Sequence, residues 1–213
     1  MASIRWMGHA CFEIKDSLCI VTDPHDGSSI GLPPPSSSAD IVLISHGHFD
    51  HADGLSLVAK PGAAVIDKPG SYEVLGVKVE GIPSFHDKSG GRERGSNTIF
   101  RFEFEGMSFC HLGDLGHLLT GEQLSKVRGV DVLMIPVGGK FTINAKEATQ
   151  IFEAASPRIC IPMHYKVRGL SLPISGVEPF LKGKPRVRNI GGPTVQISKD
   201  SLPPEPEVWV LSL

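Results

Sequence analysis

At 213 residues, about 40 % of them apolar, the chain is expected to form a single domain over residues 1–213 with a sizeable core. Twenty-one basic against 23 acidic residues leave a formal charge of −2, which excludes binding by bulk charge to nucleic acid or membrane. No apolar run approaches the ~18 residues of a membrane span, and the start Met1-Ala2-Ser3-Ile4-Arg5-Trp6 lacks the apolar core of a signal peptide. The four cysteines (Cys11, Cys19, Cys110, Cys160) are scattered without a C-x-x-C pair. A reducing, cytoplasmic setting is therefore expected, with any metal held by nitrogen and oxygen.

The chain reads as many short strands and few helices. Ser3–Met7, Cys11–Lys15 and Leu18–Asp23 are successive strand candidates, broken by Gly8 and by Asp16-Ser17. His25–Ala39, rich in Gly, Pro and Ser, reads as a surface loop. Ile41–Ile44 is an apolar buried-strand candidate, and Ala63–Asp67 and Val74–Glu80 are further strands. Asn97–Phe104 and Met107–Leu112 form a hairpin around Glu105-Gly106. Thr120-Gly121-Glu122-Gln123 fits a capping box, and Asn144-Ala145-Lys146-Glu147 is a looser version of one. The second opens a helix with the stripe Ala148, Ile151, Phe152 and Ala155, stopped by Pro157. Val130–Val137 and Arg158–Pro162 are buried-strand candidates beside these helices.

The strongest chemical signal is His46-Gly47-His48-Phe49-Asp50-His51, four metal-binding side chains within six residues, directly after Ile41–Ile44. Lone histidines usually sit on surfaces or in hydrogen-bonded cores, but that does not explain such a density at a strand end. Residues two apart on an extended chain point the same way, so His46 and His48 can grip one ion. A helix beginning at Phe49 would swing Asp50 and His51 aside, towards a second ion. The pattern of strand followed by His or Asp recurs: Ser108–Leu112 leads to Asp114, and Arg158–Pro162 to His164. Ligands in open α/β sheets collect beyond the carboxyl ends of strands.

Together these residues resemble the metallo-β-lactamase superfamily, whose signature is His-x-His-x-Asp-His. Asp23 is similar to the family's early aspartate, which supports the signature loop. His86 in Ser84-Phe85-His86 resembles the third histidine of the first metal, Asp114 the bridging aspartate and His164 the last histidine of the second metal. Gly8-His9-Ala10-Cys11-Phe12, His111-Leu112-Gly113-Asp114 and Pro162-Met163-His164-Tyr165 resemble the small-hydrolase branch related to ascorbate-6-phosphate lactonase. Leu115 departs from that branch, which often has Thr or Ser after the aspartate. The resemblance implies an α/β fold, a four-layer αβ/βα sandwich with two mixed β-sheets. It also implies a binuclear site: His46, His48 and His86 for one metal, Asp50, His51 and His164 for the other, and Asp114 bridging both.

Such a ligand set suits two divalent ions, zinc first, with manganese, iron or nickel also compatible because no thiolate selects among them. Two ions ~3.5–4 Å apart lower the pKa of a shared water, so a metal-bridged hydroxide can attack a carbonyl or phosphorus. Asp50 is the candidate to orient that water, with Asp114 fixing the metal separation. For His9 and His111 two readings stand: a proton donor or support for a ligand near the cleft, or a histidine hydrogen-bonded at a strand end. His25 and His117 read as structural. Lys88–Gly95, with Arg92 and Arg94, follows His86 as a basic lid candidate. Lys140, after Gly138-Gly139, and Tyr165 are the other substrate-contact candidates, each weighed against a solvated loop or border residue.

The expected activity is hydrolysis of an ester-type bond, a lactone or phosphodiester, in a small anionic substrate, with a homo-oligomer compatible. The competing class is a metal-binding protein without hydrolytic turnover, serving redox or sensing or standing idle. Turnover abolished by chelation separates the two. A start without an export signal argues against an antibiotic-degrading role, and the slightly negative charge against a nuclease.

Overall fold

The structure, a computed structural model, describes all 213 residues. Its first sheet begins with the antiparallel run β1 (Ala2–Trp6), β2 (Phe12–Lys15) and β3 (Cys19–Thr22). β4 (Ala39–Leu43) then lies parallel to β3. Two single-turn helices, α1 (Phe49–Ala52) and α2 (Leu55–Val58), lead to β5 (Ala59–Ile66), which completes that edge parallel to β4. Ile20-Val21 and Ile41-Val42 are buried on both faces of the sheet. Ile20, Ile41 and Leu43 join the main core, while Val21 and Val42 pack outwards with Val58 of α2. Burial on both faces is why these strands read as unbroken apolar runs rather than alternations.

The second sheet opens with β6 (Gly70–Val74), β7 (Val77–Phe85), β8 (Ser96–Phe104) and β9 (Met107–His111), all antiparallel. After α3 (Gly121–Val127) comes β10 (Val132–Pro136), and after α4 (Ala145–Ala155) comes β11 (Ile159–Met163). β9, β10 and β11 run parallel. α5 (Glu178–Leu181), β12 (Val187–Asn189), β13 (Thr194–Ile197) and β14 (Glu207–Val210) finish the chain. The strand orders are β13-β1-β2-β3-β4-β5 and β12-β14-β11-β10-β9-β8-β7-β6, so both sheets are mixed. The main core, Trp6, Phe12, Phe100, Phe102 and Phe109 among it, lies between them. This is the expected sandwich of two mixed sheets with helices outside.

Both expected capping boxes form: Thr120 Oγ1 accepts from Gln123 N–H, and Asn144 Oδ1 accepts from Lys146 and Glu147 N–H. The Asn97–Leu112 hairpin turns at Glu105-Gly106, both at positive φ (50° and 71°). The strand expected at Val74–Glu80 is interrupted near its start: Val74 ends β6, Val77–Glu80 belong to β7, and a hairpin corner lies between them. Leu75 and Gly76 take φ of 52° and 80° between β6 and β7. Leucine rarely adopts that conformation, so Gly76 is the one turn signal the sequence carries there. The loop expected at His25–Ala39 holds a short 3-10 turn at Ser28–Ile30, and its last residue already begins β4.

Candidate metal centre

The parallel directions of β3 and β4, and of β9 and β11, bring their carboxyl ends to one edge of the sandwich. β7, two antiparallel steps from β9, ends there too. The first sheet contributes Asp23 after β3, His46 and His48 after β4, and Asp50 and His51 on α1. The second contributes His86 after β7, Asp114 after β9 and His164 after β11. No helix of the chain is long and apolar enough to cross a membrane.

Asp114 is the hub. Its carboxylate lies 3.2 Å from His51 Nε2, 3.2 Å from His86 Nε2, 3.3 Å from His164 Nε2 and 3.9 Å from His46 Nε2. The ligating atoms fall into overlapping groups, each within 4.8 Å: His46, His48 and His86; His9, Asp50, His51 and His164; and His46, His51 and Asp114. All seven ligand candidates therefore meet at one site, and His9 lies among Asp50, His51 and His164.

His51 Nε2, His164 Nε2 and Asp114 Oδ1 are buried and have no hydrogen-bond partner. Polar atoms left so are costly. Lone pairs from nitrogen and oxygen converging without a proton between them is the arrangement a divalent cation satisfies. The donor set contains no sulfur, since the four free cysteines are buried elsewhere. The residues present fit a metal centre.

Supporting bonds orient the donors. Asp23 Oδ2 lies 2.8 Å from His51 Nδ1, and the same carboxylate accepts from Ser45 N–H (2.7 Å) and Ser45 Oγ (2.6 Å). An Nδ1–H donated to Asp23 leaves the His51 Nε2 lone pair facing the site. Asn97 Oδ1 accepts the Asp114 N–H at 2.9 Å, while its amide donates to Ser84 Oγ and Leu112 O. His9 Nε2 lies 3.1 Å from Asp50 Oδ2, and its ring packs 4.1 Å from that of His164. Facing a carboxylate, that nitrogen carries the proton and donates. The same-turn Ser45 and the distant Asn97 had no motif to mark them.

The electrostatics follow from burial and proximity. Burial pushes His9 and His46 down to about 3. It would lower His51 too, but Asp114 and Asp23 outweigh it and hold that ring well above the usual histidine range. Burial would raise Asp114, yet His164 and His51 hold its carboxyl well below the usual value. Asp50 is likewise held down, by His9 and His51 against burial.

The other candidates separate. His111 is fully buried, with Nε2 at 2.9 Å from Ala10 O and Nδ1 accepting the Gly113 N–H. Both ring nitrogens are thus engaged by backbone, which is the strand-end reading of this residue. Tyr165 packs on Trp6 and donates to Leu211 O, on the core side and away from the cleft. Lys140 lines a separate depression with Gly138, Gly139 and Lys146. Arg92 is exposed and bonds Ser89 O, whereas Arg94 lines the cleft beside His48, Asp50 and Asp114. His25 bonds Met7 O, and His117 accepts the Phe85 N–H, as structural residues do.

A family model for the beta-lactamase superfamily domain matches residues 3–164. The chain belongs to the metallo-β-lactamase superfamily. Within that superfamily it is 32 % identical over 190 residues to a UPF0173 metal-dependent hydrolase of Thermococcus onnurineus, covering 78 % of this chain and 85 % of that one. A Pyrococcus abyssi relative of the same description is 29 % identical over 191 residues, with the same coverages. A Thermotoga maritima crystal structure, assigned to the superfamily as a candidate Zn-dependent hydrolase, superposes with a TM-score of 0.82. It shares 39 % identity and covers 99 % of this chain and 98 % of that one.

Proposed function

We propose that the protein is a binuclear metal-dependent hydrolase that cleaves an ester-type bond, in a lactone or a phosphodiester, of a small anionic substrate. The observation that carries this reading is the convergence of four histidine Nε2 atoms on Asp114, within 3.2 to 3.9 Å, with His48 and Asp50 flanking them. His46, His48 and His86 would hold one ion and Asp50, His51 and His164 the other, with Asp114 shared. Zinc suits these donors, as do manganese, iron and nickel. When bound, such a pair supplies an activated water at neutral pH and neutralises charge developing on substrate oxygens.

The chain's own residues do the rest. Asp50 takes the His9 N–H on Oδ2, which fixes its carboxylate, and its remaining lone pairs would serve the second ion and accept a hydrogen bond from the attacking water. Asp114 spaces the two histidine sets, held by Asn97 through its backbone N–H. Asp23 keeps His51 in the ligating tautomer. The cleft, about 250 Å³, admits a small substrate, and no serine or cysteine lines it as a nucleophile. Water adds across the C–O or P–O bond, giving an acid and an alcohol.

The test is metal content of the purified protein, then turnover of lactones and phosphodiesters with each reconstituted metal. Two equivalents bound, with turnover abolished by chelation and restored by metal, is the expected result. A protein that takes up no metal, or binds it and turns over neither class, would overturn the reading.

A further inference from the structure

Asp87, immediately after His86, is a buried carboxylate wrapped by its own loop. Its Oδ1 accepts the N–H groups of Ser89 (2.7 Å) and Gly91 (2.9 Å), and its Oδ2 those of Glu93 (3.0 Å) and Arg94 (2.8 Å). Burial pushes the carboxyl up, but these four donors outweigh it and hold it at about 2. The turn needs its glycines: Gly90 and Gly91 sit at φ of 70° and 82°, and a Cβ on Gly91 would lie 2.9 Å from the Phe85 ring. The loop closes on the metal centre, with the His86 N–H donating to Gly95 O at 3.1 Å. Lys88 ties its start to Glu147 of α4. A segment with no regular structure is thereby held in one shape.

That shape delivers Arg94 to the cleft. The guanidinium lies 4.6 Å over the ring of Phe141, and both residues share the rim with Phe49 and Leu172. Arg94 is the cleft's one cationic lining residue, and its guanidinium makes no hydrogen bond or ion pair with the protein. Stacking covers one face of the fork and leaves its in-plane N–H donors free. With those donors unspent, the guanidinium faces the cleft ready to take an oxyanion of the substrate.

We propose that Arg94, positioned by the Asp87-templated loop, is the specificity-determining residue of the cleft and binds a carboxylate or phosphate group carried next to the scissile bond. This rests on the hydrolase reading above. The small cleft and the Phe49, Phe141 and Leu172 rim then fit a compact body between rim and metal centre, its oxyanion bridged by the guanidinium fork. Asp87 touches no substrate and acts through the loop, as a positioning residue.

The test compares butyrolactone with the same ring bearing a carboxylate (the lactone of 2-hydroxyglutarate) and with a ring bearing a phosphomethyl group, on metal-loaded protein. Wild type should favour one anionic ring over the neutral one at least tenfold in kcat/KM, and which one it favours separates carboxylate from phosphate. Arg94→Gln should erase that preference, the anionic ring losing at least tenfold more in kcat/KM than the neutral one, and Arg94→Lys should restore part of it. Asp87→Asn should lose the preference together with faster tryptic cleavage at Lys88, Arg92 and Arg94. No preference in wild type, or an equal loss on every ring in Arg94→Gln, overturns the assignment. Asp87→Asn with preference and tryptic resistance both intact overturns the positioning role. If no ring is turned over, only the lactone arm of the hydrolase reading has failed. Calorimetric titration with 2-hydroxyglutarate and 4-hydroxybutyrate then decides for Arg94: tighter dicarboxylate binding that Arg94→Gln abolishes upholds it, and equal binding overturns it.

Discussion

Asp23 Oδ2 and His51 Nδ1 lie 2.8 Å apart with neither side chain exposed to solvent, a pair joining the end of β3 to α1. The bond sets which nitrogen of His51 faces the other ligands. Asp23→Asn keeps the shape but removes the charge that holds the Nδ1 proton, and its amide can donate instead of accept. Metal affinity should fall roughly 10–100-fold, read by competition with a chromogenic chelator. Unchanged affinity would separate Asp23 from the centre.

His164→Ala should halve metal stoichiometry, because this ring reaches the Asp50–His51 set and not the His46–His48–His86 set. Elemental analysis of the purified variant gives the answer. Full stoichiometry would remove His164 from the second ion.

The metal-free protein should lose stability as pH falls. His9 and His46 are held near 3 in the fold, against 6.5 in the unfolded chain. Below about 6.5 the unfolded chain binds protons that the folded one refuses, so stability drops progressively towards pH 3. His25 and His111, also lowered by burial, act in the same direction. Asp23 and Asp114, held below 3.8, contribute stability that is present above that value and lost as pH falls further. His51 opposes them, since its raised value favours the fold below pH 6.5 and loses that effect as pH rises through it. The lowered histidines outnumber it. Tm of chelator-treated protein should therefore fall from pH 7.5 to pH 5, and a flat or rising Tm would contradict neutral burial of His9 and His46.

Gly138→Ala should damage the centre without touching a ligand. A Cβ there would lie 2.2 Å from His164 O, and the Gly138 N–H already donates to that oxygen at 3.0 Å. The backbone behind His164 must move, at a cost of about 1–3 kcal/mol for an overpacked position. Denaturant unfolding measures the loss, and metal titration should show the second equivalent weakened.

Asn144→Ala removes the cap that accepts from Lys146 and Glu147 N–H at the start of α4. A loss of about 1 kcal/mol is expected, with metal binding intact because the cap lies outside the ligand groups.

The ligand positions were legible because their chemistry is dense and their strands apolar: four donors in His46–His51, then strand ends at Asp114 and His164. The capping boxes of α3 and α4 were equally plain. Leu75 obscured a hairpin corner, since leucine rarely takes a positive φ and Gly76 alone marks the turn. β13 and β14 escaped notice because Gly191-Gly192-Pro193 and Pro203–Pro206 break the chain beside them. Tyr165, one residue beyond a ligand, packs in the core because the chain leaves β11 through a left-handed turn at His164 (φ 52°), which residue order does not announce. Asp87 left one trace, an Asp followed closely by Ser89, Gly90 and Gly91, which is the composition of a carboxylate-capped turn. Its four bonds follow from the path of the loop in space, which residue order alone does not give.

The division of donors between the two sheets has a kinetic side. Four come from the first sheet and three from the second, so metal held by all seven rivets the halves of the sandwich together. Such an ion leaves only when one side releases its donors, and the halves part only when the ion leaves. Slow metal exchange and slow global unfolding should therefore share one barrier, and a chelator should strip metal no faster than the sandwich opens.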